Sequence, residues 1–236
     1  MTRRLAVVAI SGLGISALCL SAVTAMGADD LLSFPGGMFD RCEPVADTGA
    51  DMRSFTWDGG DSVEISVPAT VRYQPGMGDM VIARGVPSVL AHLRVRDGNI
   101  EFDCNMRRVG RLDITLPGVP MRRFEMNGST QLLLDRLDQP ELRIAVAGSG
   151  SIRANGRADD LRLTIAGSGN AELGALAVKR LRLEIAGSGD TEVSPQDEAD
   201  IRIAGSGKVR FLVQSRNVKT SIVGSGRIIN AATPAQ

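Results

Sequence analysis

The chain has 236 residues, 43% of them hydrophobic, and its 27 Lys+Arg are matched by 27 Asp+Glu. That balance gives no electrostatic basis for nucleic acid as a partner, which calls for a clear cationic excess. Aromatic residues make up only 3% of the chain, so any core must be built from aliphatic side chains.

Residues 1–27 read as a secretory signal peptide. Arg3 and Arg4 form a positive start, Leu5 to Val23 is almost wholly apolar, and Ala25-Met26-Gly27 offers a small-x-small cleavage site before Ala28. The apolar stretch, 19 residues long, can also span a bilayer. An uncleaved anchor is therefore the alternative, and it would be the one membrane contact expected. Cys19 does not mark a lipoprotein, because Leu18 stands where a small residue is needed. The address that follows is export, to the periplasm, the cell surface or the medium of a bacterium.

Residues 28–54, with Pro35-Gly36-Gly37, read as a weakly structured lead-in. Cys42 and Cys104 remain after cleavage. In an oxidising compartment such a pair suggests one disulfide, with two buried free thiols as the alternative. A metal site is not expected from a single histidine, His92, and no Cys-x-x-Cys. No cofactor is expected either: a glycine triplet that opens strands rather than a helix is no phosphate loop.

Residues 55–120 carry strand signals in quick succession. Ser62 to Val67 alternates, Thr70–Tyr73 is a short strand, Met80–Ala83 is apolar, and Val86–His92 reads as a short helix. Leu93-Arg94-Val95 leads to Asp97-Gly98 and Asn99 to Phe102, a strong hairpin signal. Leu112 to Leu116 is one more strand, stopped by Pro117-Gly118.

Residues 121–230 repeat, ahead of a short tail at 231–236. Gly-Ser-Gly occurs five times: Gly148-Ser149-Gly150, Gly167-Ser168-Gly169, Gly187-Ser188-Gly189, Gly205-Ser206-Gly207 and Gly224-Ser225-Gly226. The starts are spaced by 19, 20, 18 and 19 residues. Gly128-Ser129-Thr130 is an imperfect earlier copy. Apolar residues stand two, four and six positions before each triplet, as in Leu161, Leu163 and Ile165, with Thr220 before the last triplet as the exception. Polar ones such as Arg162 and Thr164 lie between them. This is the period of a half-buried strand. The spacing predicts an all-β fold, a right-handed parallel β-helix with coils of about 19 residues, preceded by a strand-rich N-terminal cap. Each coil reads as strand, glycine corner, strand and a variable return. The glycines permit the bend, and the serines offer a ladder of hydroxyls from coil to coil. Flexible linker would lack the flanking alternation, and leucine-rich repeats would show a Leu/Asn consensus that is missing. A run of antiparallel hairpins is the stronger alternative.

A strand-rich lead, the hairpin Leu-Arg-Val-Arg-Asp-Gly-Asn-Ile, the strand Leu-Asp-Ile-Thr-Leu-Pro and the repeated apolar-x-apolar-x-Gly-Ser-Gly together resemble the bacterial auto-transporter adhesin, head GIN domain family. The resemblance spans roughly Phe55 to Asn230. It implies a secreted or cell-envelope protein with a β-helical body and no established biochemical activity.

Stacking places Arg143, Arg162 and Arg182 in one column, a basic stripe suited to planar anions such as those of an acidic polysaccharide or a lipid phosphate. The reading against it is a stripe that only keeps a sheet face soluble. Glu172 and Glu192 share another column, flanked by Arg153 and Arg210, with Glu184 and Asp190 nearby. A polysaccharide lyase or glycosidase would need such acids to converge on a groove; a solvated charge ladder is the simpler reading. The expectation is a non-catalytic envelope scaffold that presents a repetitive face to glycan or protein partners. A carbohydrate-active enzyme and a module that associates end to end are the alternatives.

Overall fold

The glycine triplets stack on one another in register in the computed structural model, which describes residue 42 and residues 49–106 and 108–230. The expected signal segment and tail lie outside the described residues, as does the lead-in apart from residues 42 and 49–54. The repeat strands are β8 (Arg123–Gly128), β9 (Gln131–Gly148), β10 (Ser151–Gly167), β11 (Asn170–Gly187), β12 (Asp190–Gly205), β13 (Lys208–Phe211), β14 (Asn217–Gly224) and β15 (Arg227–Ile229). All their pairings are parallel. Gly148 pairs with Gly167, Gly167 with Gly187 and Gly187 with Gly205, and Gly128 and Gly224 continue the column at either end. The result is a β-solenoid of about six turns, not a run of hairpins. The inward residues, among them Leu161, Leu163 and Ile165 with their counterparts above and below, form one continuous aliphatic core. Each contributes roughly 1.5–3 kcal/mol by leaving water.

Two details of the coil differ from the expectation. The stretch between corners is not a loose return but strand, since β9 to β12 run 18, 17, 18 and 16 residues. Local register shifts interrupt the alternation, between Ala154 and Gly156 and between Leu173 and Ala177, so the period of two is lost in sequence while the ladder goes on. One such kink is held by Asn155, whose Nδ2 donates to Asp135 Oδ1 at 2.7 Å and whose Oδ1 accepts the Arg136 N–H at 2.8 Å. The expected hydroxyl ladder is also absent among the described residues. The triplet serines are exposed. Their backbone N–H groups carry the corner, each donating at 2.9 Å to the first glycine of the coil beneath, as from Ser168 to Gly148.

The stack reaches further toward the N-terminus than the glycines do. β2 (Ser62–Ile65) pairs parallel with β8, and β3 (Thr70–Tyr73) with the start of β9. Below them β6 (Asn99–Phe102) and β7 (Leu112–Thr115) add a further parallel layer. The end is finished by antiparallel strands: β1 (Met52–Thr56) on β4 (Met80–Gly85), β4 on β7, and β5 (Leu93–Arg96) on β6. The β5–β6 hairpin turns at Asp97 and Gly98, both with positive φ (51° and 79°), the geometry that twist-matched two-residue turns require. Helix α1 (Pro87–His92) buries Val89 and Leu90 against this end, and a Cys42–Cys104 disulfide, with Cα atoms 5.0 Å apart, lies in the same part of the chain.

Candidate functional site

Parallel register dictates the surface as strictly as the core, because each outward residue stands on its counterpart one coil away. Arg123, Arg143, Arg162, Arg182, Asp200 and Lys219 form one such column. The three arginines singled out in the sequence are therefore direct neighbours, roughly 4.8 Å apart along the stack. Two of them, Arg162 and Arg182, line a surface hollow of about 620 Å³ whose walls also carry Arg122, Arg180 and Lys219 against Glu141, Asp160, Glu198 and Asp200. Arg143 itself is not part of that wall.

The ion pairs divide the column. Arg143 is held by Glu141 through two contacts, at 2.8 and 2.6 Å. Arg182 lies 3.8 Å from Asp200, which also takes Arg202 at 3.2 Å. Lys219 reaches Glu198 at 3.6 Å. In the neighbouring column Arg180 is bound to Asp160 by two contacts of 2.5 Å, and that hydrogen-bonded carboxylate pushes its already high pKa higher. Arg162 is exposed and has no carboxylate partner among the described residues. It stands in register between Arg143 and Arg182, and a guanidinium carries the fork of N–H donors that suits a planar oxyanion. The pairing of Arg143 was legible in principle, since residues 141 and 143 fall on one face of a strand.

The acids considered for chemistry are placed differently. Glu172 is paired with Arg153 at 2.6 Å, Glu192 with Arg210 at 2.8 Å, Glu184 with Arg202 at 3.0 Å and Asp190 with Lys208 at 3.9 Å. Each carboxylate of this set is answered by a cation one coil away rather than turned toward a shared groove. Sequence reading missed one cluster altogether. His92 comes within 4.8 Å of the sulfurs of Cys42 and Cys104, and its Nδ1 meets Asp103 at 3.0 Å. With both sulfurs in a disulfide, the two thiolates a metal would need are not formed there.

Residues 102–214 match the sequence profile of the family described as "Putative auto-transporter adhesin, head GIN domain". The resemblance read from the repeats is borne out over this stretch, just under half of the chain. The same fold recurs in solved structures at low identity. A crystal structure described as a putative adhesin from Bacteroides fragilis is 17% identical, with a TM-score of 0.58 over 76% of this chain and 95% of that one. One from Parabacteroides distasonis, described as a putative lipid binding protein, is 18% identical, with a TM-score of 0.50 over 77% and 96%. Likeness at that identity speaks to the fold. No curated protein matches the sequence.

Proposed function

We propose that this GIN-domain protein is an exported, non-catalytic module of the bacterial cell envelope whose coil face holds an acidic glycan. The observation that carries this reading is Arg162, a guanidinium without a carboxylate of its own, in register between Arg143 and Arg182. An acidic polysaccharide offers planar carboxylates in series, and a column of arginines offers donors in series, so successive sugars find successive partners along the stack. The adhesin family and the signal-like segment 1–27 are consistent with an address where such glycans occur. The ion-paired acids favour a scaffold over a lyase or glycosidase, because acid–base chemistry needs a carboxylate free to face its substrate.

Binding to polygalacturonate, with neutral dextran as control, tests the reading in the wild-type chain and in Arg162→Glu and Arg182→Glu. The wild type binds the acidic polymer and not dextran. Arg162→Glu lowers the affinity about ten-fold or more, since it removes a charge-assisted contact and adds a repulsive one. Equal affinity in all three chains removes the arginine column from the function.

A further inference from the structure

Among the described residues, the C-terminal end of the stack has no cover. β14 pairs only with β12, and β15 only with β13, which leaves the outer row of backbone N–H and C=O groups on both strands without a ladder. Val218 and Ile222 stand in register on the buried Ala199 and Ile203, yet they are 45% and 40% exposed. A hollow of about 380 Å³, lined by Phe211, Val213 and Val218 among others, opens beside them. The other end has α1 over its core.

Charge layering indicates what would lie on top. Through the stack, the cations of one coil meet the carboxylates of the next: Arg153 with Glu172, Arg180 with Asp160, Arg210 with Glu192. β14 and β15 carry Lys219 and Arg227 and no carboxylate. Lys219 is met only from below, by Glu198, and Arg227 stands in register on Lys208, a like charge. Arg180, by contrast, is in register with Asp160 on one side and Glu198 on the other.

We propose that this edge accepts an extended segment of another protein by strand addition. Its apolar side chains cover Val218 and Ile222, and its carboxylates stand over Lys219 and Arg227. Main-chain hydrogen bonds supply affinity and the alternate side chains supply selectivity. A second copy is a poorer occupant. At its opposite end β1 and β5 offer Arg53, Arg94 and Arg96 as their charged residues, and its own β14 and β15 offer Lys219 and Arg227, so either mode stacks cation on cation. A bilayer would leave the strand-edge amides without partners.

The test uses the full chain and a labelled synthetic peptide, Gln196–Gly205, the acidic strand already seated against β14 from below. A control peptide carries Lys in place of Asp197, Glu198 and Asp200. Anisotropy gives the affinities, and hydrogen exchange reports the amides of 217–224 and 227–229. In the register of the strand below, the acidic peptide places its Asp200 over Lys219 and its Gly205 over Gly224. It therefore binds about ten-fold more tightly than the Lys peptide and slows exchange in 217–224, with 227–229 beyond its reach as the internal reference. The variant Lys219→Glu reverses the preference. Equal binding of the two peptides, or no slowing of β14 amides, overturns the proposal. So does a concentration-dependent dimer that protects β14, which assigns the edge to a second copy. Protection by phosphatidylglycerol vesicles but not by peptide assigns it to a membrane.

Discussion

At the scale of single residues, the corner glycines separate two effects that are usually confounded. Gly187 has φ 137°, and a Cβ built there would lie 2.0 Å from the Gly167 carbonyl oxygen of the coil beneath. Gly128 holds the same corner position at φ 91°, but a Cβ there meets nothing within 4 Å. Gly128→Ala therefore carries only backbone strain, on the order of 1–3 kcal/mol. Gly187→Ala adds an overlap with main chain that only a separation of two coils relieves, and its loss exceeds about 4 kcal/mol, the range of severe core defects. Denaturant unfolding of both variants checks the difference; equal losses would mean that conformation alone, not the carbonyl beneath, demands glycine. The same contrast shows what was legible. The triplets announced themselves because every coil stacked on another glycine coil needs the same absence of a side chain. The corner beneath Gly128, built from Val67-Pro68-Ala69, carries no such demand and gave no sign. Arg162 was visible in its column, but whether it was neutralised depended on side-chain reach that periodicity does not encode.

Among the elements, β2 and β3 were found as strands but not as part of the solenoid. About fifty residues of inserted hairpin and helix separate them from β8 in sequence, so no period survives to betray the pairing. Tyr73, the one tyrosine of the chain, fastens that insertion back onto the stack. Its ring is buried and lies 5.2 Å from that of Phe124. Its hydroxyl donates to the Val119 carbonyl at 2.8 Å and accepts the Met121 N–H at 3.1 Å. Burial raises the phenol above its ordinary pKa of 10.0, and the Met121 N–H offsets part of that rise. A raised folded-state pKa means that the unfolded chain gives up this proton first. The contribution to stability is complete below pH 10 and is lost as pH climbs from there through the folded-state value. Unfolding free energy measured from neutral to alkaline pH, alongside tyrosinate absorbance, should fall in that window for the wild type. Tyr73→Phe should lose about 1–3 kcal/mol at neutral pH, from the unpaired Met121 N–H, and show a weaker alkaline decline. A decline of the same size in Tyr73→Phe would assign it to other groups.

Taken whole, the described part of the molecule is a stack in which each coil touches only its neighbours, and its stability should be distributed accordingly. In such arrays the free energy is close to a sum over layers and interfaces, so a perturbation at one end stays near that end. The disulfide offers a way to see this. Cys42 and Cys104 are 62 residues apart in sequence, a loop whose closure is worth about 4 kcal/mol on the chain-entropy account. The bond lies beside the end of α1: the Asp103 N–H donates to the His92 carbonyl at 3.1 Å, and Asp103 also receives Arg94. Reduction, or the paired Cys42→Ser/Cys104→Ser change, should therefore loosen the antiparallel finish first. Amides of β1, β4 and β5 should exchange faster by a large factor, while those of β10 and β11, several layers away, should keep most of their protection. Hydrogen exchange with and without reductant reads both sets in one experiment. If β10 and β11 accelerate as much as β1, the stack unfolds as one cooperative body and the layer-by-layer account fails. If only the near layers respond, the distant coil face keeps its register when the clasp opens, and the arginine column can hold its geometry through changes at that end.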